Sequence, residues 1–241
     1  MAYRTDPRTA QPGIALPATD EGLRSFMLAV YNYMGLGLAI TGLVAFVVAS
    51  TPALAAPIFT TPLKWVVMLA PLGFVILLSA RIGTMSASAA QITFWLFAAV
   101  MGLSLASIFL VFTGESIARV FFVTAATFGA VSLYGYTTKR DLAGWGSFLF
   151  MGLIGVVIAS VVNLFLASSA LQFAVSVIGV LVFTGLTAWD TQRLKSEYLG
   201  SFQRGGDELA AKGAIMGALS LYLNFINLFV MLLQLMGNQR N

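Results

Sequence analysis

A polar segment over residues 1–25 gives way to a chain that alternates long apolar runs with short polar joints. The runs are Phe26–Ser50, Lys64–Ala80, Ala90–Phe112, Ser116–Tyr136, Gly144–Leu166, Leu171–Asp190 and Ala214–Met236. Most lie close to the roughly 20 residues that carry an α-helix across hydrocarbon. None alternates apolar with polar side chains as a barrel strand would, and backbone groups in lipid must bond within their own segment, so each run predicts a helix. The fold class expected is therefore an all-α membrane protein, with seven transmembrane helices over residues 26–236. Pro7, Pro12 and Pro17 are spaced through residues 1–25, which hold no apolar stretch of signal-peptide length and predict a short disordered polar tail. Residues 237–241 read as a short C-terminal tail.

The seventh run carries a second pattern. Gly213, Gly217, Ser220, Asn224, Asn227 and Gln234 recur at steps of three, four or seven, which stacks them on one helical face. A stripe of amides does not face lipid. It predicts a central seventh helix with the other six around it, and with Leu233 turned towards lipid. The same amides serve equally well as interhelical hydrogen-bond glue. Small residues at packing spacing, Ala98-Gly102-Ala106, Ala125-Gly129, Gly155-Ala159 and Gly213-Gly217, predict close helix contacts. Pro71 removes a ladder hydrogen bond from the second run and predicts a kink there.

Composition narrows what such a bundle does. Of 241 residues, 59% are hydrophobic and 9% charged, against about a quarter charged in soluble domains. Cys and His are both absent, which argues against disulfides, thiol chemistry, iron–sulfur ligation, the usual transition-metal sites and a His-based serine hydrolase. An intramembrane aspartyl protease needs two facing aspartates, and a retinal protein needs a lysine in its last helix. Neither pattern is present. No phosphate-binding loop is visible, so neither enzymatic function nor a cofactor is expected.

The net charge of +4 is spread among loops rather than gathered with aromatics, which argues against nucleic acid as a partner. It reads as a topology signal. With the N-terminus inside, Arg4, Arg8, Arg24, Arg81, Lys139, Arg140, Arg193, Lys195, Arg204 and Lys212 are cytoplasmic, and only Lys64, Arg119 and Arg240 lie opposite. Ten against three predicts a cytoplasmic N-terminus, and an odd number of spans puts the C-terminus outside. Tyr31, Tyr33, Trp95, Tyr134, Tyr136, Trp145 and Trp189 fall near the cytoplasmic ends as an interfacial belt would, and Trp65 marks the other face. The lipid bilayer is the first partner implied.

Most acids lie in tails or loops, but Asp190 closes the sixth run, just ahead of Arg193 and Lys195. An ionisable group at that depth is a functional candidate by default. The plainer reading makes it an interfacial acid that pairs with Arg193 at i+3 and helps to end the helix.

Thr184-Gly-Leu-Thr-Ala-Trp-Asp-Thr-Gln-Arg-Leu-Lys195 and Ala218-Leu-Ser-Leu-Tyr-Leu-Asn-Phe-Ile-Asn-Leu-Phe229 closely resemble the two C-terminal signatures of the Bax inhibitor-1 (TMBIM) family. Tyr31-Asn-Tyr-Met-Gly-Leu-Gly-Leu-Ala-Ile-Thr-Gly42 resembles its first-span pattern. The resemblance covers the chain from about Arg24 onward and implies a bacterial-type member, in the inner membrane, with six helices around a seventh. It also implies a pH-sensitive calcium leak in at least some members. There a pair of aspartates, late in the sixth span and in the seventh, forms a sensor latched by an arginine at the end of the second span. Asp190 matches the first aspartate, Arg81 more loosely the latch, and Asn224 stands where the second aspartate is expected, with Ser220 and Asn227 as supporting polar residues. A carboxylate–amide pair has one proton site and no like-charge repulsion, which predicts a lower transition pH than in a two-aspartate relative.

Two functions follow as expectations. The first is a cation conduit closed by a contact among Asp190, Asn224 and Arg81, with calcium as the transported ion and Asp190 as a cation contact. The second is a non-conducting protein that modulates a membrane-protein partner, such as a protease or a death-pathway factor, through its cytoplasmic tail and the Gln192–Lys212 loop.

Overall fold

The computed structural model describes residues 16–202 and 205–240, with backbone alone at 16–19, 201 and 202. In chain order these form α1 (Leu16–Ser50), α2 (Pro52–Thr60), α3 (Leu63–Arg81), α4 (Ala87–Val111), α5 (Gly114–Thr137), α6 (Ala143–Leu166), α7 (Ser169–Glu197), a π-helical turn (Tyr198–Phe202) and α8 (Gly206–Met236). All but α2 are long and apolar enough to cross a membrane, which gives the seven spans expected. The sixth and seventh spans are therefore α7 and α8.

Local signals set where the helices start. The hydroxyls of Ser86, Thr113 and Ser168 accept from the backbone N–H groups of Ala89, Ser116 and Leu171, capping α4, α5 and α7. Pro52 stands in the first turn of α2, where a missing N–H costs nothing. The sequence pattern had no place for α2, because its nine residues are too few to cross and lie in the joint between two spans.

The helix α8 is the centre of the bundle. Two thirds of its most apolar stretch (67%) is buried, against 11% for α6. Helices α1, α4, α5 and α7 pack directly on α8, whereas α3 packs mainly on α4 and α6 mainly on α7. The surround is thus an inner ring of four helices with two outriders. Leu233, expected to face lipid, is buried instead, because α8 is enclosed on more sides than its polar stripe alone requires. The large exposed apolar side chains, Phe122, Leu164 and Phe165 among them, lie mostly on the helices around α8, where lipid is their solvent.

Close approach at small residues is partly as expected. A Cβ on Gly102 would come 2.7 Å from the backbone carbonyl oxygen of Thr41 and 2.8 Å from Cβ of Val44, so α4 lies directly against the backbone of α1 there. Gly217 of α8 faces the Leu194 side chain of α7, 2.6 Å from where a Cβ would stand. Gly129 and Gly155 have open space where a Cβ would stand, and the tightest contact on α5 falls at Gly135, against the backbone of Ala188 in α7.

Pro71 sits inside α3, which runs unbroken from Leu63 to Arg81. Its ring leaves the carbonyl of Val67 without a helical donor. The Ser104 hydroxyl of α4 donates to that carbonyl at 2.5 Å. The neighbouring helix thus supplies the hydrogen bond that the proline removes.

Both predicted tails are partly structured. Helix α1 begins at Leu16, and Leu23 is buried within the core, so residues 16–25 extend the first span rather than precede it. Met1–Ala15 lie outside the described residues. At the other end Gln239 pairs with Phe112 in an antiparallel bridge. Thr113 N–H donates to Asn238 O at 3.0 Å, Arg240 N–H to Val111 O at 2.8 Å, and Asn238 N–H to the Ser116 hydroxyl at 2.8 Å. The chain end is stitched to the α4–α5 turn.

Candidate functional site

Asp190 lies two turns before the end of α7 and is buried against α8. Successive residues of a helix point about 100° apart, so Asp190, Thr191 and Gln192 leave α7 in three directions. Each finds a different neighbour. Asn224 of α8 donates its side-chain amide to Oδ2 of Asp190 at 2.7 Å. The Thr191 hydroxyl lies 2.9 Å from the Ser132 hydroxyl of α5, which is 2.6 Å from the Tyr31 hydroxyl of α1. Gln192 grips the α5–α6 loop with both ends of its amide: Oε1 accepts from Leu142 N–H at 2.7 Å, and Nε2 donates to Arg140 O at 2.8 Å.

The cation at Asp190 is Arg193. Its Nη2 stands 2.6 Å from Oδ1 of Asp190 and donates to the Ser220 hydroxyl at 3.3 Å. Asp190 is almost enclosed, with 8% of its side chain exposed, while 35% of Arg193 reaches solvent. The guanidinium carbon lies 4.7 Å over the ring of Trp189. Nε of Arg193 is buried and makes no hydrogen bond among the described residues, although Glu197 Oε1 lies 3.6 Å away. Arg193 therefore touches two acids on its own helix, at i−3 and i+4.

Of the residues singled out in the sequence, Asp190, Asn224 and Ser220 come together, with Arg193 as the link. Arg81 does not join them: it is exposed at the end of α3, and its recorded hydrogen bonds are carbonyl contacts with Thr84 and Met85 in the following turn. The physical reason is architectural, since α3 packs on α4, away from the α7–α8 seam. Asn227 turns its amide back onto Leu223 O of its own helix, at 2.8 Å. Gln234 accepts from the buried Ser176 hydroxyl of α7 at 2.8 Å. The stripe on α8 thus bonds to α7 at three levels and serves as interhelical glue over most of its length.

Ser132 had no role in the sequence pattern, and Tyr31, Thr191 and Gln192 entered it only through the aromatic belt, the family signatures and the docking loop, not as hydrogen-bonding partners around Asp190. The run Asp-Thr-Gln was the one signal that could have pointed to Thr191 and Gln192, because three consecutive polar residues on a buried helix need three partners. Among the described residues no group of three or more acids converges to hold a metal. Both oxygens of Asp190 are already engaged.

A buried carboxylate at the seam between a central helix and its neighbour, in a bundle of seven apolar helices, defines a polytopic membrane protein with a polar contact buried inside. The family profile described as "Inhibitor of apoptosis-promoting Bax1" matches residues 23–241. This chain belongs to the Bax inhibitor-1 family. It is 50% identical over 220 residues to the inner membrane protein YbhL of Escherichia coli K12, covering 91% of this chain and 94% of the relative. It is also 50% identical over 222 residues to an uncharacterized protein of Rickettsia prowazekii, covering 92% and 93%. Identity with an uncharacterized protein of Caulobacter vibrioides is 47% over 233 residues, 92% of each chain.

Proposed function

We propose that the protein is a pH-sensitive conduit for cations, calcium among them, closed by a contact centred on Asp190. One observation supports this above the rest: a lone carboxylate between the central helix and α7 has each oxygen held by a different partner, one of them a half-buried cation. An ionised carboxylate in such a place persists only while it is paired. A cation that passes the seam takes the place of Arg193 at Oδ1, so the lock is made from the protein's own charge. Calcium in this reading is cargo and has no resident site.

Protonating Asp190 removes the charge that holds Arg193, and the lock opens as pH falls. Asn224 supplies a hydrogen-bond donor where a second carboxylate would stand, so a single proton site sets the transition. The name of the Escherichia coli relative and the basic residues together support an inner-membrane location with the N-terminus and Asp190 towards the cytoplasm. Reporter fusions after Lys139 and after Asn241 then report opposite sides.

The test is calcium and sodium flux in proteoliposomes against pH. Native protein conducts more as pH falls, Asp190→Asn loses most of the pH dependence, and Asn224→Asp moves the transition upward, because two close carboxylates share a proton. Absence of flux at every pH makes the protein the non-conducting partner of another membrane protein. Native pH curves in both variants remove Asp190 from the lock.

A further inference from the structure

Below the α5–α6 loop, helices α5, α6 and α7 leave an apolar groove of about 350 Å³. Gly185 and Ala188 line it with little or no side chain, and Trp145, Phe148 and Trp189 supply ring surface along it. Trp145 and Phe148 are exposed, with their rings edge to face at 6.3 Å. Leu142 of the loop is part of the lining.

The same loop carries Lys139 and Arg140, both exposed. Asp141, next in the chain, accepts from Ala143 N–H at 2.8 Å, which turns its carboxylate towards the start of α6 while it keeps its negative charge. Lys195 nearby is committed, donating to Tyr136 O at 3.1 Å and lying 5.0 Å over the Tyr136 ring. The loop backbone is pinned by Gln192 on both sides of Asp141. The loop therefore holds two basic side chains, neither ion-paired among the described residues, and a net charge of +1 over residues 139–141, beside an apolar groove with aromatic residues at its edge.

We infer that this groove and loop form a binding site for an anionic phospholipid, with one acyl chain in the groove and the phosphodiester against Lys139 and Arg140. The groove alone accepts any acyl chain. Selection comes from the basic pair, since each such residue near a membrane surface favours an anionic over a zwitterionic headgroup by about fivefold. Trp189 joins this site to the Asp190 lock: its ring lines the groove and carries the Arg193 guanidinium at 4.7 Å. The inference does not depend on conduction.

The experiment uses the full chain with Trp65→Phe and Trp95→Phe, so that fluorescence comes from Trp145 and Trp189. Quenching by phosphatidylglycerol with brominated acyl chains is compared with quenching by brominated phosphatidylcholine in otherwise identical vesicles. Half-quenching is expected at an at least fivefold lower mole fraction of the anionic lipid. Lys139→Ala with Arg140→Ala, exposed changes that leave the loop's backbone hydrogen bonds in place, equalises the two lipids, as does high salt. Equal quenching by both lipids in the native protein, no quenching by either, or a preference that survives the double substitution overturns the site.

Discussion

Asn224 donates its side-chain amide to Oδ2 of Asp190 across the α7–α8 seam at 2.7 Å, and both residues are buried. The bond joins a residue that has to be ionised to matter with a neutral partner on the most enclosed helix of the bundle. Its partner oxygen is free to answer to Arg193. The carboxylate is therefore held across the seam by Asn224 and along its own helix by Arg193, which reaches Ser220 of α8 in turn, and both contacts weaken when Asp190 takes up a proton.

Asn224→Leu removes the neutral contact and leaves the carboxylate short of a donor, which costs about 1–3 kcal/mol. Leu233→Ala costs about 2–5 kcal/mol, because Leu233 fills the core at 1% exposure and its loss leaves a cavity. Thermal unfolding in detergent checks the order. A Leu233→Ala protein as stable as the native one would place that side chain against lipid after all.

Arg193→Gln takes the cation from Asp190 and is expected to cost about 1–3 kcal/mol, less than a fully buried pair, because 35% of the Arg193 side chain is in solvent. It also flattens the pH curve of cation flux, whereas Arg81→Gln leaves that curve in place. A flux profile moved by Arg81→Gln and untouched by Arg193→Gln reverses the assignment.

Two glycines of α5 are expected to respond with opposite signs. Gly135→Ala drives a methyl group into the backbone of Ala188, which has nowhere to yield, and destabilises by about 1–3 kcal/mol. Gly129→Ala meets open space and gains helix propensity of up to about 1 kcal/mol. Melting temperatures of the two variants moving in the same direction would contradict the α5–α7 contact.

The parts of this fold that sequence revealed are those written in one-dimensional patterns. Seven apolar runs of bilayer length required helices, and the amide stripe on Ala214–Met236 required a central one, because lipid leaves such groups no other place. Asp190 and Asn224 were legible for the same reason. The missing pieces depend on how helices sit against one another. Arg81 resembled a latch by its position in the chain, but α3 packs on α4 and carries it away from the seam. Gly129 and Gly135 look alike on the helix, and only the approach of Ala188 separates them. Helix α2 and the pairing of residues 237–240 escaped because neither is long enough to leave a periodic trace.

That last pairing has a mechanical meaning. With Asn238 and Arg240 tied to the α4–α5 turn, α8 is hinged at one end like a lever on a fixed pivot. At about 1.5 Å per residue its 31 residues make an arm of roughly 45 Å. A small tilt at the pivot grows along this arm towards Gly206, and Asn224 rides on it 12 residues before the helix end at Met236. If the Asp190 contact opens as proposed, the displacement of α8 is expected to be larger towards Gly206 than at the stitched end.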